Sequence, residues 1–364
     1  MLDRAITALT SILRPRVSLS NSRLETLCLL VIGMVSARSV NLGHIASERP
    51  GEAQIAATYR RLQRFFQHVD LGRDWTLPPL VDLRGLNGKW YLTLDRTQWQ
   101  TGRSDVNFLV LAVVTRRFHV PLLWSVLDKR GNSDTRERIA PVKRYPAHFD
   151  ASTIRLLLAD REFTGTHWVK FLNDNNITFA IRLKEDLRIT DGKGHDLALS
   201  ARLRRTGRNG TFRGRLGARD YARAHKAPLL TCATKRLGGE WLILATNAAP
   251  RTALNACRKR WAIECMFADA KARALDIEDT RLTDRRKLDL LPALVPLALA
   301  WAGRTAADIL TNRTARRRQH RYSEKSWLRT GFDHTRKRLR SDPLEAITPW
   351  RRIAQHVPER RSVV

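Results

Sequence analysis

The chain has 364 residues, 43% of them hydrophobic, which is enough for two or three structural units with sizeable cores and argues against wholesale disorder. Its 66 Lys and Arg against 35 Asp and Glu leave a formal charge of +31, spread through every region, and this points to a polyanionic partner, nucleic acid first. Cys28, Cys232, Cys257 and Cys265 form no C-x-x-C pair and have no His at zinc-ligand spacing, so neither a disulfide framework nor a zinc module is expected.

In chain order, the opening stretch MLDRAITALTSILRPR carries charges inside its mildly apolar run, unlike a signal peptide. The run Leu27–Val35 is too short to span a membrane, and no membrane-length segment is expected anywhere. Ser20, Asn21 or Ser22 can cap a helix to about Ala37, and a second helix is predicted over Gln54–Phe66. In that second helix Leu62, Phe65 and Phe66 keep helical spacing among arginines, which suits either a core stripe or a small DNA-binding unit. WTLPPLVDLRGLNGK, rich in Pro and Gly, reads as a linker.

From Trp90 the pattern turns to strands. WYLTLD ends at Asp95, and VNFLVLAVVTRR and VPLLWSVLDK follow like a hairpin. A helix of undefined length comes after Gly131-Asn132-Ser133, then a strand IRLLLAD ending at Asp160, a helix over Thr166–Asn173, and a strand TFAIRLK. This alternation makes an α/β layer architecture. Residues 185–250 break the rhythm with an Arg- and Gly-dense stretch and two strands, APLLTCATK and GEWLILATN, read as a separate, mainly β insertion. A long helix is predicted from Ala253 to about Leu275. A buried helical segment disturbed by Pro292 and Pro296 follows, then a basic tail, helical only in pieces, with Arg316-Arg317-Arg318 and RKRLR. The expected divisions are a helical region over 1–80, a core over 81–184 and 251–312, the insertion over 185–250, and the basic region over 313–364.

Three acids stand out. Asp95 and Asp160 follow buried apolar runs, at the strand ends where α/β sheets place ligands, although a single such Asp is more often a turn or cap. On the long helix, Cys257, Arg260, Glu264 and Lys271 fall within an arc of roughly 60° if the helix is regular. Taken alone, that face could equally be solvated, with an Arg260–Glu264 pair contributing only about 0.3–0.5 kcal/mol. Together, three carboxylates amid cations suit in-line displacement at phosphorus, where two Mg²⁺ ions about 3.5–4 Å apart assist the entering and leaving oxygens.

These residues resemble the insertion-sequence 4 family of DDE transposases. The family's Glu-helix signature, Tyr, two residues, Arg, three residues, Glu, six residues, Lys, is filled by Cys257, Arg260, Glu264 and Lys271. TLDRTQW with Asp95 and Thr97, PLLW and GNS downstream, LADREF with Asp160, Arg161 and Glu162, FAIRLK with Arg182 and Lys184, and RWAIE also match in order. The resemblance implies a ribonuclease-H-like α/β core interrupted by a β-rich insertion. It also implies Asp95, Asp160 and Glu264 as ligands of two Mg²⁺ ions, with Mn²⁺ able to substitute. Arg182, Lys184, Arg260 and Lys271 would hold phosphates, and Trp241 would stack on a flipped base during hairpin formation. Cys257 replaces the signature Tyr, whose phosphate contact a thiol makes only weakly. The expected substrates are the terminal inverted repeats and target DNA, handled by a homodimer in the bacterial cytoplasm at the nucleoid, with no membrane partner. A transposase-derived DNA-binding protein without catalysis and a host nuclease on the same core are the alternatives.

Overall fold

The computed structural model describes residues 2–49, 52–72, 74–101, 104–115, 119–127, 129–205, 209–280, 282, 287, 290–310 and 326–354. They divide into two units, Asn87–Gln98 with Asn107–Glu264, and Met1–Leu86 with Trp99–Val106 and Cys265–Val364.

The first of these is organised by a sheet. Its strands are β1 (Trp90–Thr101), β2 (Ser104–Val114), β3 (His119–Leu127), β4 (Ile154–Ala159), β5 (Phe179–Arg182), β6 (Arg188–Asp191), β7 (Asp196–Ala198), β8 (Asn209–Leu216), β9 (Leu230–Leu237) and β10 (Glu240–Thr246). Across the sheet they run β3-β2-β1-β4-β5-β10-β9-β8-β6-β7. β1, β4 and β5 pair in parallel, and from β5 to β7 the pairing is antiparallel. The central β4 reads as an unbroken apolar run, Leu156 to Ala159 all buried, as a strand covered on both faces must. The helix Pro250–Cys257 covers part of one face, laying Ala253 and Ala256 on Leu156, Leu158, Ala180 and Leu244. The helix after Gly131-Asn132-Ser133 is Thr135–Arg144, started by a capping box between Asp134 and Glu137.

Three readings of this unit change. β1 does not stop at Asp95 but continues to Thr101; only its parallel pairing with β4 ends there, at Leu94↔Ala159. The Arg-rich segment expected as a separate insertion adds its strands to the same sheet, through β10 on β5 (Leu244↔Arg182, Thr246↔Ala180). Within it, Thr211 to Leu216 alternates exposed and inward positions, with Phe212, Gly214 and Leu216 buried and Arg213 exposed. The inward slot at Gly214 holds no side chain, because a Cβ there would stand 3.3 Å from the Thr190 carbonyl oxygen, so the strand's period of two is hidden. Finally, the expected long helix is broken: a 3₁₀ turn at Arg258–Arg260 precedes the helix Trp261–Ala268, and a π-helical turn, Asp269–Ala274, follows it.

The other unit is helical. Leu2–Leu13, Asn21–Ala37, Leu42–Ser47, Glu52–His68 and Leu77–Arg84 come from the N-terminal region, and Leu291–Leu310, Trp327–Ser341, Pro343–Ala346 and Thr348–Ala354 from the C-terminal one. Leu77–Arg84 occupies the stretch read as a linker. Its prolines lie in the first turn, where a missing N–H breaks no intrahelical bond, and Gly85 caps it at φ 61°. Leu291–Leu310, contrary to the sequence reading, is long and apolar enough to cross a membrane, but 67% of its apolar window is buried within the protein. Gly331 of Trp327–Ser341 packs directly on it, since a Cβ there would fall 1.9 Å from the Ala302 carbonyl oxygen. Arg316-Arg317-Arg318 lies outside the described residues, whereas RKRLR falls on Trp327–Ser341.

Candidate active site

Parallel pairing brings the two aspartates together. With Leu94 opposite Ala159, Asp95 and Asp160 each stand one residue beyond the end of the β1–β4 ladder, side by side at its carboxyl edge. The Asp95 side chain is 13% exposed. Its Oδ1 accepts from the Arg96 backbone N–H at 2.8 Å, and its Oδ2 from Arg260 Nη1 at 3.1 Å. Burial raises its pKa to about 6; the Arg96 N–H and Arg260 oppose that rise, and the Asp160 and Glu162 charges add to it. Asp160 Oδ1 is buried and accepts no hydrogen bond among the described residues, with Arg182 Nη1 3.6 Å away. Its Oδ2 is 4.0 Å from Arg260 Nη2.

The third acid arrives from the broken helix. Pro250–Cys257 sits on the sheet, the 3₁₀ turn carries Arg260 in over the strand ends, and Glu264 follows one turn later. Arg260 Nη2 donates to Glu264 Oε1 at 2.6 Å. One guanidinium, its side chain 8% exposed, therefore contacts all three carboxylates. Burial by itself would lower the Arg260 pKa, but Asp160, Asp95 and Glu264 outweigh it and raise the value. Three carboxylates against Arg260 and Arg182 leave a formal excess of one negative charge at this spot.

Hard carboxylate oxygens, an unsatisfied buried Asp160 Oδ1 and a desolvated Asp95 suit a divalent cation at the two aspartates. Glu264 does not yet close that set. Among the described residues no three acidic, His or Cys side chains gather around one point, and the Arg260 guanidinium stands between Glu264 and the aspartates.

Of the residues expected at DNA, Arg182, Trp241, Cys257 and Arg260 converge, together with Leu242 and Trp261, on an open cavity of about 280 Å³. Arg236 lies over the Trp241 ring at 5.7 Å. The Cys257 thiol is held above its usual pKa by burial, opposed by Arg182 and Arg260, so it is an uncharged, weak hydrogen-bonding group. Lys184 is exposed just beyond β5. Lys271 belongs to the helical unit, on the π turn and 3.8 Å from Glu278, and the segment from Cys257 to Lys271 is not one regular helix. The 3₁₀ and π turns change the angular step that the expected single face needs.

Two features escaped the sequence reading. Trp261, 65% exposed beside Arg260, lies within the RWAIE match but was given no role there. His119 is fully buried with neither ring nitrogen hydrogen-bonded among the described residues; burial and the nearby Arg260 lower its pKa to about 3, so it is neutral. No local pattern marks it. Compared with known families, the chain is matched by the model described as Transposase DDE domain over residues 80–300. No curated protein matches it.

Proposed function

The chain belongs to the transposase DDE-domain family, and from that membership we propose that it is a cut-and-paste transposase of the insertion-sequence 4 group. Its substrates in this reading are the terminal inverted repeats of its own element and a double-stranded target. The sheet with β1, β4 and β5 at its centre serves as the ribonuclease-H-like core, entered at 81–184 and 251–312 and interrupted over 185–250. The observation that carries the reading is the convergence of Asp95, Asp160 and Glu264 on one guanidinium at the carboxyl edge of parallel strands.

Asp95 and Asp160 would hold Mg²⁺, or Mn²⁺ in its place, with Glu264 completing the set of ligands for two ions. When bound, such ions supply Lewis acidity for in-line displacement at phosphorus. The chain's own groups do the rest. Arg260 pairs with the acids in the free protein and turns to a DNA phosphate on binding, which releases Glu264. Arg182, Lys184 and Lys271 hold flanking phosphates, and a guanidinium can do so through two parallel bonds. Trp241 stacks on a base turned out of the duplex at the cleaved end, a contact worth about 1–3 kcal/mol. Hydrolysis nicks one strand, and the freed 3′ hydroxyl attacks the opposite strand to give a hairpin and release the flanking DNA; a second hydrolysis opens the hairpin and restores the 3′ hydroxyl, which attacks the target. Two subunits pair two ends, in the bacterial cytoplasm at the nucleoid.

The test is cleavage of labelled inverted-repeat-end DNA, with Mg²⁺ and with EDTA, on a denaturing gel. A discrete nick that requires the ion, followed by a slow-migrating hairpin, is the expected result. Sequence-specific binding without any nick in Mg²⁺ or Mn²⁺ would contradict it. That outcome would favour a DNA-binding derivative lacking catalysis, the reading that the weak Cys257 thiol supports.

A further inference from the structure

The β1–β4 ladder ends at Leu94↔Ala159, so backbone pairing places Asp95 and Asp160 side by side but does not itself orient their carboxylates. The residues that follow them supply a cross-link instead. Arg96 Nε and Nη2 donate to Glu162 Oε1 and Oε2 at 3.3 and 3.2 Å, a two-point fork between side chains only 18% and 21% exposed. The same guanidinium donates to Asn107 Oδ1 at 3.2 Å and Asn132 Oδ1 at 3.4 Å. Asn107 is 2% exposed, and its Nδ2 donates to the carbonyls of Lys129 and Gly131 at 3.2 and 2.9 Å, which fixes its amide orientation. Arg138, 6% exposed, donates to Ser133 Oγ at 3.1 Å, to Ser133 O at 2.5 Å and to Thr164 O at 2.9 Å. Three stretches far apart in sequence, TLDRTQW, GNS and LADREF, are thus tied together behind the carboxylates.

Building on the transposase reading, we propose that Arg96 and Glu162 are positioning residues. Their fork sets the separation and orientation of the Asp95 and Asp160 carboxylates toward a divalent cation, anchored by Asn107 and Asn132. Arg96 acts at two points, since its backbone N–H also holds Asp95 Oδ1. An ion pair serving stability alone is the competing explanation, and partly buried pairs contribute little net stability. The two differ in what they move. A stabilising pair shifts thermal unfolding, whereas a positioning pair shifts cation affinity and cleavage with duplex affinity unchanged.

The test uses the full chain as wild type, Arg96→Ala, Arg96→Lys, Glu162→Gln and the Arg96→Ala Glu162→Gln double variant. Mn²⁺ is titrated calorimetrically, with and without an uncleavable inverted-repeat duplex; duplex affinity, thermal unfolding and single-turnover cleavage are read on the same samples. Mn²⁺ affinity and cleavage should each fall about 10–100-fold in Arg96→Ala and Glu162→Gln, the range for removing a group that orients metal ligands. The double variant should be no worse than the worse single, because one fork is lost only once. Arg96→Lys should recover part of the loss, and duplex affinity should stay within about threefold throughout. Should Arg96→Ala not fold, the near-isosteric Glu162→Gln and the charge-preserving Arg96→Lys decide. Mn²⁺ affinity within about threefold of wild type in a folded Arg96→Ala or Glu162→Gln, or losses that multiply in the double variant, would overturn the proposal. So would a wild type that binds no Mn²⁺ with or without duplex. A wild type that binds Mn²⁺ but cuts nothing tells against the transposase reading alone, because the brace is read from the titration.

Discussion

β4 and β8 lie in one sheet and manage charge in opposite ways. In β4, Leu156 to Ala159 are buried and the acid comes only after the strand ends, at Asp160. In β8, charge alternates along the strand, Arg213 exposed between buried Phe212 and Gly214. A strand covered on both faces tolerates an ionised group only where its backbone leaves the sheet, so charge collects at strand ends and is desolvated there. A strand with one wet face can carry charge along its whole length with nearly full hydration. The contrast separates a centre where few charges act strongly, with Asp95 raised to about pKa 6, from a surface where many act weakly.

The largest effect expected from breaking that division is at the carboxylate cluster. Glu264→Gln and Asp160→Asn should each lower cleavage by about 10³-fold or more, corresponding to several kcal/mol of lost ion-assisted stabilisation, with duplex binding nearly unchanged by mobility shift. Cleavage at the wild-type rate by Glu264→Gln would remove that residue from the centre. In the outer strand the large effect should instead be on stability. Phe212→Ala ought to cost about 3 kcal/mol in denaturant unfolding, as buried Phe truncations do.

Arg260 sharpens the comparison from inside the centre. Arg260→Gln removes the cation between Glu264 and the aspartates, so Mn²⁺ affinity without DNA should rise about tenfold, in line with the Coulomb energies of close, poorly screened charges. The same variant should bind duplex less tightly. An unchanged Mn²⁺ affinity would show that Arg260 does not compete with the ion.

The pH dependence follows from Asp95, whose folded pKa of about 6 exceeds its ordinary 3.8. A raised carboxylate pKa favours the folded state when protonated. That contribution is complete below 3.8 and lost as pH rises through about 6, so Asp95→Asn should raise the melting temperature more at pH 8 than at pH 4. For the ion the dependence reverses: protonated Asp95 cannot hold it, and apparent Mn²⁺ affinity should fall about tenfold per pH unit below about 6. The smallest effect is expected at Arg213→Ala, with stability within about 0.5 kcal/mol and the salt dependence of duplex binding reduced by about one counterion.

The legible parts of the molecule are those whose signal is local. β4 and β5 were readable because a buried parallel strand must be a continuous apolar run, and Asp95 and Asp160 because each directly follows one. β8 was not, since Gly214 fills an inward slot with no side chain. Leu77–Arg84 was hidden by prolines that are harmless in a first turn. The breaks at Arg258–Arg260 and Asp269–Ala274, which interrupt the expected regular helix, leave no composition cue. The Arg96–Glu162 fork spans 66 residues, a pairing that only the fold creates.

Whether Asp95, Asp160 and Glu264 share one ion-binding centre can be read directly by replacing Mg²⁺ with Fe²⁺ on the protein–duplex complex. Adding ascorbate and peroxide then allows the sites of local backbone scission to be mapped. Cuts clustered near 95, 160 and 264, suppressed by excess Mg²⁺ and lost in Asp160→Asn, are the predicted result. Cuts elsewhere, or cuts near the aspartates that leave the Glu264 segment intact, would contradict a three-carboxylate centre.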